Sequence, residues 1–505
     1  MSIDRQPSGS PVSPRLSEPT AEEICRLIYL PRLTKSFEKN FFFITQINAA
    51  HLIMLNQQHL LPAASVKILA RGLLDLVNDG PAAVKLDPFK EDAYLNYESC
   101  LVDRIGMDHA GRLHMARSRN DILATIDRLQ AREGLTGLIA QLLTLRRLLV
   151  QQAKQYADAV MPGYTHLQPA QPITYGFWLA GIEQALARDT ERLAAAYAHI
   201  DSCPLGACAL AGTTFAIDRQ TSASALGFSS VTQHTLDAVA SRDGLFEIMS
   251  AMTQLATTWS RIAQDYFIWV TNEFNFIDFP DSVAGTSSIM PQKKNPVALE
   301  YLKGRAAHVL GMYTAAMSAQ RITNFSHSGD ANRESISSFP DMLALCADAV
   351  EILTLLVRTG RPNRQAMLSR AYADFCTVTD LADAMVKHYD ISFREAHHIV
   401  GAVVHEALAQ GLTADRINTQ MIDKAAQDEI GRTLGMSAQE IQACLDPVKC
   451  VQGRLSGGPS AISVNAMIAD SLAAIADAAG LNQQRIDRHK DTADTLRNAL
   501  EQLSA

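Results

Sequence analysis

The stretch LDAVASRDGLFEIMSAMTQLATTWSRIAQDYFIWV, residues 236–270, decides the fold class. Within it Leu245, Ile248, Met249, Met252, Leu255, Trp259 and Ile262 recur at intervals of three and four, which winds them into one apolar stripe on a helix. At a rise of about 1.5 Å per residue, such a helix would run roughly 50 Å. Similar patterns occupy about residues 122–158, 174–200, 296–320 and 338–358, and runs of β-branched residues at strand spacing are scarce. Long helices joined by short connections pack lengthwise, so the expected class is all-α with a long central helical bundle. Several of these helices are apolar over wide arcs. That leaves two explanations open: a core within one chain, or a core shared by bundles from several subunits.

Working outward, 505 residues suit about three domain-sized units. Residues 1–20 interleave prolines with serines and read as a disordered tail. An N-terminal helical domain is expected over 21–121 and the long-helix bundle domain over 122–360. After Pro362 the helical patterns shorten, giving a C-terminal helical domain over 361–505. The net charge of −8 offers no basic footprint for nucleic acid or an anionic membrane surface. No uninterrupted apolar stretch of about 18 residues occurs, and the N-terminus has no signal-peptide core. The eight cysteines form no CxxC pair, which argues against zinc ribbons, redox motifs and disulfide frameworks and makes a reducing, cytoplasmic setting the expectation. The expected partner is a small molecule.

Three polar, turn-rich segments interrupt the helical chain. In HMARSRND, residues 114–121, Arg117 and Arg119 sit among Ser118 and Asn120, a donor set that fits a carboxylate. The bland alternative is a helix N-cap with a solvated first turn. In GYTHLQPAQP, residues 163–172, His166 lies in a turn where its neighbours can hold the ring; a lone histidine is usually structural, so its company carries the catalytic reading. In GTSSIMPQKKNP, residues 285–296, a Gly/Ser loop leads to Lys293, Lys294 and Asn295 beside a helix start, where free backbone amides and partial positive charge stabilise an anion. Such a loop beside an anion site suits a lid that carries a catalytic side chain.

These segments resemble the three signature regions of the fumarase/aspartase superfamily in its argininosuccinate lyase form. Further matching positions run in the expected order over about 25–480, among them Ala211-Gly-Thr-Thr, Arg242-Asp243, Asn272-Glu-Phe274 and Ser456-Gly-Gly458. The resemblance implies a three-domain fold, a homotetramer whose long helices form a twenty-helix bundle, and active sites shared by three subunits. It implies anti elimination of fumarate from an N-substituted aspartate, as in arginine biosynthesis, with no metal and no organic cofactor.

Carried over by resemblance, Ser287 is the base, Lys293 and Asn295 hold the carboxylate as it becomes doubly charged, His166 helps protonate the departing nitrogen, and Glu300 orients His166. Ser118, Arg119, Asn120, Thr165 and Gln168 are expected to bind the fumarate half, with Arg117 and Asp92 completing the substrate site. The amine side departs from the family pattern: Tyr94 replaces a usual histidine, and FSHSGDANRE, residues 325–334, replaces a tyrosine- and lysine-bearing run. A paralogue acting on another N-(1,2-dicarboxyethyl) amine, such as ethylenediamine-disuccinate, is the second reading, and a non-enzymatic structural protein the third.

Overall fold

The structure, a computed structural model, describes residues 15–505. The tail expected over residues 1–20 therefore lies, through residue 14, outside the described residues. Helices α1 (Leu30–Gln57), α2 (Ala63–Asp79) and α3 (Ala93–Ile105) form the first unit, packed on Phe41, Ile44, Leu52, Leu69 and Tyr97. Ile122, Ile126 and Leu129 belong to the same cluster, so the long helix α4 (Arg119–Gln155) starts inside this unit and leaves it.

Four more helices complete the bundle: α5 (Tyr175–Ile200), α6 (Asp243–Trp269), α7 (Val297–Gln320) and α8 (Phe339–Thr359). With α4 they share one contiguous core, in which Trp259 is buried and donates its Nε1–H to the Leu302 carbonyl at 3.0 Å. The stripe that fixed the fold class lies on α6, but the helix expected over 236–270 is broken. A short helix, Thr235–Ala240, precedes α6, and Ser241 between them is extended. Buried Arg242 makes the break: its guanidinium donates to the carbonyls of Val239 and Ser241 and to Asp127. An arginine satisfied by the carbonyls of the preceding turn ends that helix.

α7 buries only Leu299, Leu302, Val309 and Ala316 and exposes Tyr301, Leu310 and Met317. Of the two explanations for wide apolar arcs, this helix favours the shared one, because a single chain covers only one of its faces.

Beyond the bundle, shorter helices between Arg364 and Gln452 pack mainly around a separate cluster that includes Leu381, Ile399, Val403, Ile422 and Ile441. Residues 461–504, grouped by sequence with that unit, form instead a single 44-residue helix, α9 (Ala461–Ser504), lying along α4 and α2. By length and composition alone α9 passes for a membrane-crossing helix. Its Val464, Ile468 and Ile475 nevertheless insert into the bundle core, and its Leu496 and Leu500 into the first unit.

Candidate active site

The first of the three polar segments is held by its own turn. Ala116 takes the left-handed φ of +58°, and Ser118 N-caps α4 in a reciprocal capping box with Asp121. Asp121 also accepts from the amides of Gly206 and Cys208, both at 2.9 Å, which ties a distant loop to the helix start. Burial pushes its pKa up to about 6 in spite of these donors. The N-cap reading and the ligand reading therefore coexist here: Ser118 caps, while Arg119 and Asn120 stand half-exposed beside it.

Two residues expected at the substrate make their contacts inside the chain. Arg117 is 6% exposed, and its guanidinium donates to Asn48 Oδ1 (2.8 Å), the Leu113 carbonyl (2.6 Å) and the Tyr94 hydroxyl (3.3 Å). It braces the turn from beneath. Asp92, 2% exposed, N-caps α3 through the Leu95 amide and accepts from Arg119 at 3.2 Å. Its carboxylate thus holds the Arg119 guanidinium inside the chain. Sequence reasoning missed Glu91, which binds Arg119 at 2.5 Å from a left-handed φ of +64°, and the Tyr94–His114–Glu98 cluster under Arg117. Only the unusual Tyr94 was a signal for the cluster, and adjacency to Asp92 the only one for Glu91.

The second segment is a β-hairpin, β1 (Val160–Thr165) against β2 (Gln168–Thr174), with Thr165 opposite Gln168. Its two-residue loop is His166-Leu167, at φ of +55° and +57°. Positive φ at both loop residues is the geometry that matches strand twist in tight hairpins, and non-glycine residues held there are strained. The turn lifts Thr165, His166 and Gln168 into solvent while Tyr164 behind it packs on Phe274 and Phe276. Beneath the hairpin Gly176 lets α5 cross the end of α4, since a Cβ there would lie 2.4 Å from the Ala153 carbonyl oxygen.

The third segment is a smaller hairpin, β3 (Gly285–Thr286) against β4 (Lys294–Asn295), closed by residues 287–293 and followed at once by α7. Ser287 Oγ accepts from the amides of Met290 (3.0 Å) and Ile289 (3.4 Å), donors that also stabilise negative charge on that oxygen. Asn295 Nδ2 donates to the Thr286 carbonyl at 3.3 Å. Lys294 is taken by Asp278 and Asp281, whereas Lys293 is exposed and makes no ion pair within 4.0 Å among the described residues. Glu300, in the first turn of α7, is exposed.

Among the described residues no hydrogen bond or ion pair links Ser287, Lys293 or Glu300 to His166, or either group to Ser118, Arg119 or Asn120. What the chain assembles alone is three exposed, pre-shaped parts.

Residues 25–311 match the lyase family model, and residues 375–452 match the argininosuccinate lyase C-terminal model. "Argininosuccinate lyase 1" of Shouchella clausii is 36% identical over 88% of this chain and 90% of its own. The argininosuccinate lyase of Methanococcoides burtonii is 37% identical over 85% and 87%. Among solved structures, EDDS lyase in complex with formate superposes with a TM-score of 0.86 at 30% identity, covering 96% of each chain.

Proposed function

We propose a mechanism for a chain that belongs to the lyase family, within the branch of the argininosuccinate lyases. It is a carbon–nitrogen lyase that releases fumarate from an N-substituted aspartate, with argininosuccinate as the reference substrate. The reading is carried by Ser287, whose oxygen already accepts two backbone N–H donors on a loop that leads into the start of α7 beside the unpaired Lys293.

In this mechanism the Ser287 alkoxide removes the proton from the carbon next to a carboxylate. A carboxylate barely acidifies its neighbouring carbon, so Lys293 and Asn295 must stabilise the doubly negative form, and oriented donors act most strongly where charge develops. His166, oriented by Glu300, delivers a proton to the departing nitrogen. Ser118, Arg119, Asn120, Thr165 and Gln168 hold the fumarate half. Because no hydrogen bond or ion pair joins the three segments among the described residues and α7 leaves an apolar face uncovered, the working unit is a homotetramer in which each site draws on three copies. We place it in the cytoplasm, with arginine formation as its role if argininosuccinate is the natural substrate. The reaction invokes neither metal nor organic cofactor.

A second reading, a paralogue for another N-(1,2-dicarboxyethyl) amine, is favoured by Asp92 being occupied within the chain and by the likeness to EDDS lyase. The test of the mechanism is Ser287→Ala. Turnover, followed by the ultraviolet absorbance of fumarate, should fall by about three orders of magnitude or more, as for loss of a main acid–base group, with the oligomer intact. A near-normal rate removes Ser287 from the base role.

A further inference from the structure

The loop over residues 205–209 grips the turn that carries Ser118, Arg119 and Asn120, and Asp121 is the centre of that grip. Gly206 and Cys208 donate their amides to Asp121 Oδ2, both at 2.9 Å, while Asp121 Oδ1 accepts from the Ser118 amide at 3.0 Å. On one side of this bridge Asn120 Nδ2 donates to the Ala209 carbonyl at 3.0 Å. On the other the Cys208 thiol donates to the Ala116 carbonyl at 3.1 Å. Ala116 and Cys208 both hold left-handed φ, +58° and +55°, conformations that persist only where the surroundings enforce them. From behind, Arg219 Nε donates to the Leu205 carbonyl at 3.1 Å.

Asp121 is 0% exposed, and among the described residues its carboxylate accepts from amides alone. The titratable and charged groups that face it are Arg117 on its own turn, Tyr94 of α3, Cys208 of the loop and Arg219 behind the loop. Burial outweighs the amide donors and the Arg117 charge, which is why its pKa stands at about 6 and not at the ordinary 3.8. Folding therefore favours the protonated form: the penalty for an ionised Asp121 is complete above pH 6 and absent below 3.8. Carboxylates kept ionised against such a penalty concentrate at functional sites. Only the ionised form can accept from all three amides, because a protonated carboxyl turns an O–H donor towards one of them.

We propose that Asp121 is a positioning residue of the fumarate site: its carboxylate fastens the 205–209 loop to the turn, and the fastened loop holds Ser118, Arg119 and Asn120 in their binding geometry. This rests on the lyase reading above and adds to it a residue that touches no substrate atom yet sets the affinity for fumarate. Protonation of Asp121 loosens one side of the grip, so the Asp121 contribution to fumarate affinity is present above pH 6 and fades below it.

The probe is fumarate, titrated calorimetrically into the full-length protein and into Asp121→Asn. Asparagine keeps the shape and an acceptor for Ser118 but turns an N–H towards Gly206 and Cys208. At about pH 7.5 the variant should bind fumarate about tenfold more weakly than wild type, the scale of one charge-assisted contact. By about pH 5 wild-type Asp121 is itself mostly protonated, and the two affinities should agree within about twofold. Every other group titrates in both proteins, so the shrinking ratio isolates Asp121. With no reacting atom touched, kcat should stay within about threefold. Equal affinities at about pH 7.5, or a ratio that does not change with pH, overturns the proposal. If the variant does not fold, amide hydrogen exchange of the wild type decides: protection at Gly206 and Cys208, corrected for the intrinsic rate, should fall as pH drops through 6, and constant protection overturns the proposal. Wild-type protein that neither binds fumarate at millimolar concentration nor releases it from any adduct refutes the lyase reading and this proposal together. Fumarate binding without the Asp121 signature refutes the proposal alone.

Discussion

Replacing Tyr94 by phenylalanine tests how the turn before α4 is held. The hydroxyl of buried Tyr94 lies 2.9 Å from His114 Nδ1, 3.1 Å from Glu98 Oε1 and 3.3 Å from Arg117 Nη2. Phenylalanine keeps the ring, its packing on His114 and the Arg117 guanidinium 5.7 Å from its centre, so only the polar contacts go. Hydrogen bonds to charged groups contribute about 1.5–3 kcal/mol, and the long Arg117 contact sets the lower end, about 1.5 kcal/mol. Arg117 keeps Asn48 and Leu113, so the turn loosens without collapsing. If most of that loss is transmitted through Ala116 to Ser118, Arg119 and Asn120, KM rises about tenfold. With no reacting atom touched, kcat should stay within about threefold. Initial rates of fumarate formation over a range of substrate concentrations, alongside thermal melting, read both numbers. An unchanged KM with a lowered melting temperature would show the cluster to be structural only, and a collapsed kcat at constant KM would put Tyr94 in the chemistry.

Three further outcomes are expected. Glu183→Ala leaves Arg146, 3% exposed and bonded to Glu183 at 2.8 Å, without its partner, so urea unfolding should show a loss of about 3–5 kcal/mol; Ser471 of α9 loses its acceptor in the same variant. Gly176→Ala should lower stability by about 1–3 kcal/mol or more through overpacking and raise KM by displacing the His166 hairpin; a variant that melts like wild type contradicts the 2.4 Å approach. His327 and His489 are each pushed down to about 4 from an ordinary 6.5, first by burial and then by neighbouring arginines. The folded state thus prefers the neutral ring, so their stabilising contribution is complete above pH 6.5 and is lost as pH falls towards 4. His489→Gln should flatten the decline of melting temperature across that window; an identical slope refutes the assignment.

The bundle was legible because its helices bury one stripe each: residues 245–262 carry the 3.6-residue period regardless of what flanks them. The break at Ser241 was not, since it depends on Arg242 reaching Asp127, a partner 115 positions away. Helix α9 escaped because its apolar residues are thinned by alanine and charge, and only the grooves of α4 and α2 give them a destination. At the site, the turns around Ser118, His166 and Ser287 could be read from local residue chemistry. The internal roles of Arg117 and Asp92 could not, because whether a charged side chain faces a ligand or its own protein is decided by elements distant in sequence.

The path of α9 also governs when the molecule can become whole. Arg497 Nη2 reaches Asn78, 419 positions earlier, and Leu496 and Leu500 fill a slot among the opening helices. While the ribosome is still at work, that slot gapes, and the early helices wait, greasy side outward, for a segment yet to be translated. Birth of this enzyme thus favours whatever shields nascent chains, and a late frameshift would undo its beginning.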